Sequence, residues 1–215
     1  QVRLWGQRPR EVVDSILGVL PLFHVFAMTT VMMFGIASGM ENILMPKFDQ
    51  GQTLKLIRKL RPTVMPGVPT LFQALLHHRR IDSFDLSSLQ FCISGGAALP
   101  MHVKTDFEKH IGGSLVEGYG LSETSPVATC NPLDGHRDGS IGLHLPGTEI
   151  TIRSLENPEQ EMPMGEPGEI CIAGPQVMSG YWNKADETAS AFTGRYFRTG
   201  DVGYMDEDGF IFIVD

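Results

Sequence analysis

Residues 118–126 read GYGLSETSP, which places an aromatic ring, a hydroxyl and a carboxylate (Tyr119, Ser122 and Glu123) close together on a backbone loosened by glycine. A ring can lie on a nucleobase, a hydroxyl can reach a phosphate, and a carboxylate can hold magnesium through hard oxygen ligands. That chemistry suits a nucleotide carrying a metal ion. The same composition suits a surface turn after a strand, because clusters of Gly, Ser and Pro punctuate turns. Taken alone, so short a motif leaves both readings open.

The elements around it narrow the choice. LGVLPLF at 17–23 reads as a buried strand that breaks at proline, and HVFAMTTVMMFGIASG at 24–39 as a buried helix. ENILM is a short strand. FDQGQTLKLIRKLRP is a helix in which Leu54, Ile57 and Leu60 recur at helical spacing before Pro62 stops it. TVMPGV is a strand, PTLFQALLHHRR a helix with proline in its first turn, and LSSLQFCISGG a strand ending in glycines. MHVKTDFEKHIG is a third amphipathic helix and SLVEGYG a further strand. Strands alternating with helices at crossover spacing predict a parallel sheet with flanking helices over residues 12–125. Ligands collect at the carboxyl ends of such strands, where ISGG and EGYG both fall.

From Gly139 the texture changes. TEITIRS, GEICIAG, YFRTGD and GFIFIVD are short strands split by Gly, Pro, Asn and Asp, and EDGF at 207–210 is a tight turn between two of them. The fold class is therefore α/β over 1–138, followed over 139–215 by a small antiparallel β unit resembling an incomplete barrel.

Composition sets wider bounds. Of 215 residues 42% are hydrophobic and 20% charged, an ordinary globular balance. Cys92, Cys130 and Cys171 are too dispersed for a disulfide framework or zinc site, which points to a reducing compartment. Residues 1–80 hold ten Lys/Arg against four Asp/Glu, while the remainder holds seven against twenty-one. The acidic part argues against nucleic acid as a partner, and the basic part reads as the solvated face of helices. Residues 16–40 carry no Asp, Glu, Lys or Arg and are long enough to span a bilayer. Pro21, His24 and three glycines interrupt them, which favours a buried core segment.

Six stretches then match one family in order: PLFHVFA at 21–27, SGGAAL at 94–99, GYGLSETSP, GSIGLHLPGTE at 139–149, GEPGEICIAGPQVMSGYWN at 165–183 and RTGDVGYMDEDGFIFIVD at 198–215. The chain resembles the adenylate-forming enzymes: acyl-CoA synthetases, luciferases and the adenylation domains of peptide synthetases. The nearest likeness is to bacterial long-chain fatty-acid–CoA ligases. The resemblance implies part of the large N-terminal domain of an acyl-CoA synthetase, with a phosphate loop expected upstream of residue 1 and a lysine-bearing C-terminal lid downstream of Asp215. It implies ATP, Mg²⁺ and coenzyme A as cofactor and co-substrates, a fatty acid as acyl substrate, and no activity from the segment alone. It also implies a cytoplasmic protein, with room for peripheral contact at the inner membrane and for a homodimer. PLFHVFA contains no Asp to meet an ammonium group, which favours a fatty or aryl acid over an amino acid.

By the same resemblance Tyr119 stacks on adenine, and Gly95, Gly96 and Ala97 line its other face with Gly118 nearby. Small residues suit close approach of a flat base. Ser122, standing where the family usually has threonine, keeps the hydroxyl for the α-phosphate. Glu123 is the implied magnesium ligand, and Asp201 the acceptor for the ribose hydroxyls. Without the resemblance Asp201 is a turn aspartate beside Gly200. His24 resembles a motif histidine near the acyl pocket, with a hydrogen-bonded core histidine as the alternative. Ser122, Glu123 and His24 are the catalytic candidates. Met28, Met32 and Met33 line an acyl channel or fill plain core. Tyr181 and Trp182 read as structural.

Overall fold

The structure is a computed structural model that describes residues 14–133 and 135–214. The first two residues of the expected sheet region, 12 and 13, and the closing Asp215 lie outside the described residues. Contacts divide the chain into two compact units between Glu117 and Gly118.

In the first unit β1 (Ser15–Gly18), β2 (Glu41–Leu44), β3 (Val64–Gly67), β4 (Phe91–Ser94) and β5 (Ser114–Tyr119) pair in parallel, in the order β2-β1-β3-β4-β5. Helices Gln50–Leu60, Pro69–Leu76 and Met101–Glu108 fill the crossovers, as the apolar spacing predicts. Each boundary has a local cause. Asp49 caps Gln50–Leu60 by accepting from the Gln52 N–H at 2.8 Å, and Arg61 ends it in the left-handed region ahead of Pro62. Pro69 opens the next helix, where a missing N–H costs nothing. Leu54, Ile57, Phe72, Leu75, Cys92, Phe107 and Leu115 form the buried centre, with the Phe72 and Phe107 rings edge to face at 5.0 Å. Burying each such side chain stabilises by about 1.5–3 kcal/mol. All three cysteines are free and buried. Burial pushes the Cys130 and Cys171 thiols up to about 12, so they are packing residues.

Residues 16–40 are not one helix. β1 ends at Gly18, and a helical run starts only at Val25: Val25–Ala27, a π-helical Met28–Met33, then Phe34–Ala37. Among the described residues no helix is long and apolar enough to cross a membrane. The expectation of a wholly buried helix needs correcting. Ala27, Val31 and Phe34 pack with Ile16 and Val64, but Met33 is 52% and Ile36 70% exposed. Met28 is half-buried and Met32 exposed as well, so this methionine run is not plain core. Apolar residues on both faces concealed which side meets the sheet.

In the second unit Gly118 and Tyr119, at the end of β5, pair antiparallel with β6 (Thr129–Cys130), which pairs with β7 (Leu143–His144). The curled antiparallel sheet comprises β8 (Glu149–Arg153), β9 (Gly168–Ala173), β10 (Phe192–Thr193), β11 (Tyr196–Met205) and β12 (Ile211–Ile213). Its order is β10-β11-β9-β8, with β12 on β11. Ile150, Ile152, Ile170, Ile172 and Ile211 make its core. The predicted turn falls between β11 and β12, where the Asp206 carboxylate accepts from the N–H groups of Asp208 and Phe210 at 3.0 and 2.9 Å.

Candidate active site

Within the second unit, the GYGLSETSP stretch is a built turn. A Cβ on Gly120 would lie 1.7 Å from the Pro126 carbonyl oxygen, so only glycine lets the chain fold back here. The Ala128 N–H closes the return on the Tyr119 carbonyl at 2.8 Å. Ser122–Thr124 form a short 3₁₀ turn. Its buried anchor is Thr124, whose hydroxyl accepts from the Leu121 N–H at 2.9 Å and donates to the Pro126 carbonyl at 2.9 Å. That anchoring leaves Ser122 exposed and Glu123 half-buried.

Asp201 reaches the same unit from far along the chain. β11 slips register against β9 between Arg198 and Val202, and Gly200 at φ +80° sits inside the irregularity. Such a bulge re-aims the side chains it carries. Glu169, buried at the head of β9, fixes it. Its carboxylate accepts from Arg198 Nε at 2.9 Å and from the Gly200 N–H at 3.1 Å. Thr199 donates to the Ile170 carbonyl at 2.8 Å and accepts from the Asp201 N–H at 3.1 Å. Asp201 Oδ2 then accepts the Tyr119 hydroxyl at 2.5 Å. Burial, together with that carboxylate, pushes the Tyr119 phenol far above its ordinary range, so it stays a donor.

Glu123 has its own tyrosine. The Tyr181 hydroxyl donates to Glu123 Oε1 at 3.0 Å, and the Met178 N–H donates to the Glu123 carbonyl at 2.8 Å. Burial and the Glu123 contact both raise the Tyr181 phenol.

The first unit holds the other candidates. Gly95 follows β4 and its N–H donates to the Gly67 carbonyl at 3.2 Å. Gly96 and Ala97 are exposed beyond it. The loop returns at Leu99, whose N–H donates to Glu117 Oε1 at 3.1 Å. Burial pushes the Glu117 carboxyl up to about 7, against the pull of that bond. His24 is exposed and its Nδ1 accepts from the Phe26 N–H at 3.2 Å, which caps the following helix. The core-histidine alternative is therefore wrong.

Three supporting residues escaped the sequence reading. Glu169 had a signal: a carboxylate inside an otherwise apolar, fully buried strand needs partners. Glu117 interrupts the apolar run of β5 and is half-buried there, where a plain surface residue would be exposed. Tyr181 gave no sign of its reach to Glu123, 58 residues away. Trp182, read as structural, is 90% exposed.

Residues 2–182 match the family described as AMP-binding enzyme. The chain belongs to that family. It is 50% identical over 212 residues to a long-chain-fatty-acid–CoA ligase of Bacillus subtilis, covering 98% of this chain and 38% of the relative. An anthranilate CoA ligase, AuaEII, solved with anthranoyl-AMP, superposes with a TM-score of 0.88 at 25% identity, over 99% of this chain and 42% of that one. ATP-bound MatB from Rhodopseudomonas palustris superposes at 0.86 with 33% identity, over 94% and 40%. The chain thus spans about two-fifths of the length of these AMP-binding relatives.

Proposed function

We propose that this chain is a segment of an acyl-CoA ligase that activates a long-chain fatty acid through an acyl-adenylate, carrying part of the adenylate-forming machinery and inactive on its own. The observation that carries this reading is the Tyr119–Asp201 pair, an aromatic residue whose hydroxyl donates to a carboxylate held on a bulge. The first half-reaction joins a fatty carboxylate oxygen to the α-phosphorus of ATP, and pyrophosphate leaves with the broken anhydride oxygen. In the second, the sulfur of coenzyme A attacks the acyl carbon, the thiol proton is lost to solvent, and AMP leaves.

The protein's part is alignment and charge neutralisation at phosphorus. Tyr119 offers its ring to adenine while its hydroxyl fixes Asp201 for the ribose hydroxyls. Gly118, beside that ring, leaves room for close backbone approach, and Gly95, Gly96 and Ala97 are assigned to the base by resemblance alone. Ser122, exposed on its turn, offers a hydroxyl to the α-phosphate. His24, exposed at a helix start, is assigned to the acyl side by resemblance. Glu123 suits magnesium by donor chemistry. Among the described residues no cluster of three His, Cys, Asp or Glu side chains is present, and magnesium commonly takes one or two carboxylates with phosphates and water. When bound, that ion neutralises phosphate charge.

The 50% identity to a fatty-acid ligase supports the long-chain substrate, while the likeness to the anthranilate ligase supports an aryl acid as the second reading. Pyrophosphate exchange by a full-length protein carrying this segment, measured with long-chain, medium-chain, aryl and amino acids, separates them. The proposal predicts the fastest exchange with long-chain fatty acids. Fastest exchange with an aryl or medium-chain acid moves the substrate class. No exchange with any acid, combined with flotation on lipid vesicles, would point instead to a non-catalytic membrane-associated domain.

A further inference from the structure

The GPQVMSGYWN stretch has no task in the reaction described above, yet it grips Glu123 twice. The Met178 N–H holds the Glu123 backbone carbonyl at 2.8 Å, and the Tyr181 hydroxyl holds its side chain at 3.0 Å. Tyr181 is itself fixed from behind. Its N–H donates to Thr188 Oγ1 at 2.9 Å, and the Thr188 hydroxyl donates to the Lys184 carbonyl at 2.7 Å in the short helix Ala185–Ser190. The ring is 39% exposed, so it is not held in place by core packing. An exposed tyrosine whose backbone is pinned and whose hydroxyl ends on a carboxylate is placed for that contact. Among the described residues, Glu123 Oε2 accepts no hydrogen bond.

We propose that Tyr181 is a positioning residue for Glu123: its hydroxyl fixes one carboxylate oxygen and so reserves the other for a cation that arrives on the nucleotide phosphates. This rests on the reading of Glu123 as the magnesium ligand. Without the hydroxyl the carboxylate samples several rotamers, and ordering it falls to the ion. A long acidic side chain loses appreciable conformational entropy when fixed. Preorganisation removes that cost from binding.

The test is ATP affinity by calorimetry, in excess Mg²⁺ and in EDTA, for a full-length protein carrying this segment and for Tyr181→Phe, Glu123→Ala and the double variant. Removing one hydrogen bond to a charged group should weaken Mg²⁺-dependent binding about three- to tenfold. Affinity in EDTA should stay within about twofold, as should AMP affinity, since losing an exposed hydroxyl disturbs little else. On the Glu123→Ala background, Tyr181→Phe should add nothing. Equal weakening with and without Mg²⁺ would make Tyr181 a mere loop support and overturn the proposal. Unchanged or tighter Mg²⁺-dependent binding would overturn it too, the latter by showing that the hydroxyl competes with the ion. If the unsubstituted protein gains no affinity from Mg²⁺, the Glu123 assignment itself falls and this inference with it.

Discussion

Tyr119 carries two separable properties, a ring and a hydroxyl, and the structure gives the hydroxyl a partner. The ring is the stacking surface proposed for adenine. The hydroxyl ends on Asp201 at 2.5 Å, across 82 residues of sequence. Tyr119→Phe keeps the ring and deletes only the bond, which leaves Asp201 held by its backbone alone. A hydrogen bond to a charged group is worth about 1.5–3 kcal/mol, and part of that returns as water replaces it. ATP affinity should therefore fall about three- to tenfold, while the melting temperature moves little. Isothermal titration checks the first and calorimetric melting the second. An affinity unchanged by Tyr119→Phe would show that the bulge alone places Asp201. The grouping of ring, hydroxyl and carboxylate in GYGLSETSP was legible, because those residues are local in the chain. The tyrosine–carboxylate pairings were not, because an antiparallel sheet brings distant segments together and side-chain spacing says nothing about which ones.

At the scale of elements, β5 contains a half-buried carboxylate that its neighbours tolerate rather than pair. Glu117 bonds only the Leu99 N–H among the described residues, and burial pushes it up to about 7. An unfolded glutamate titrates at about 4.3. Between those values the native state holds a proton that the unfolded state has lost, so stability is full at low pH and declines as pH rises through 7. The decline amounts to roughly 3–4 kcal/mol. Glu117→Gln keeps an acceptor for Leu99 without the charge. Urea denaturation of this variant should lack that slope between pH 4.5 and 7, and an identical slope in both proteins would place the titrating group elsewhere. The helix run from Val25 offers a second test. Ile36→Glu, on the exposed side, should change stability by less than about 0.5 kcal/mol, whereas Val31→Ala, fully buried, should cost about 1–3 kcal/mol. Reversed effects would mean that the exposed face is covered in solution. The Asp49 cap that fixes the start of helix Gln50–Leu60 is seen only in the structure, but the helix itself was legible because a period of 3.6 and a proline stop agree. The Val25 run was not, since residues apolar on every side leave no moment to orient it.

For the whole molecule, the change of texture along the chain did foretell a mostly parallel sheet and a curled antiparallel one, though antiparallel pairing already begins at Gly118 with Cys130. Crossover helices and hairpin turns have different local chemistry, so the sequence records that switch directly. The bulge that presents Asp201 is a long-range product of β9 meeting β11 out of step, and RTGD alone reads as a plain turn. The proposed hold of Asp201 on the nucleotide ribose depends on both the local turn and that long-range bulge. The most direct measurement titrates ATP and its 2′,3′-dideoxy analogue into a full-length protein carrying this segment, and into its Asp201→Ala and Asp201→Asn variants. A carboxylate accepting from ribose hydroxyls contributes about 1.5–3 kcal/mol per charge-assisted bond. The account predicts a loss of roughly tenfold or more for ATP in Asp201→Ala, a smaller loss in Asp201→Asn, and little change for the dideoxy analogue in either. An equal loss for ATP and the dideoxy analogue would contradict it and return Asp201 to a residue of the turn.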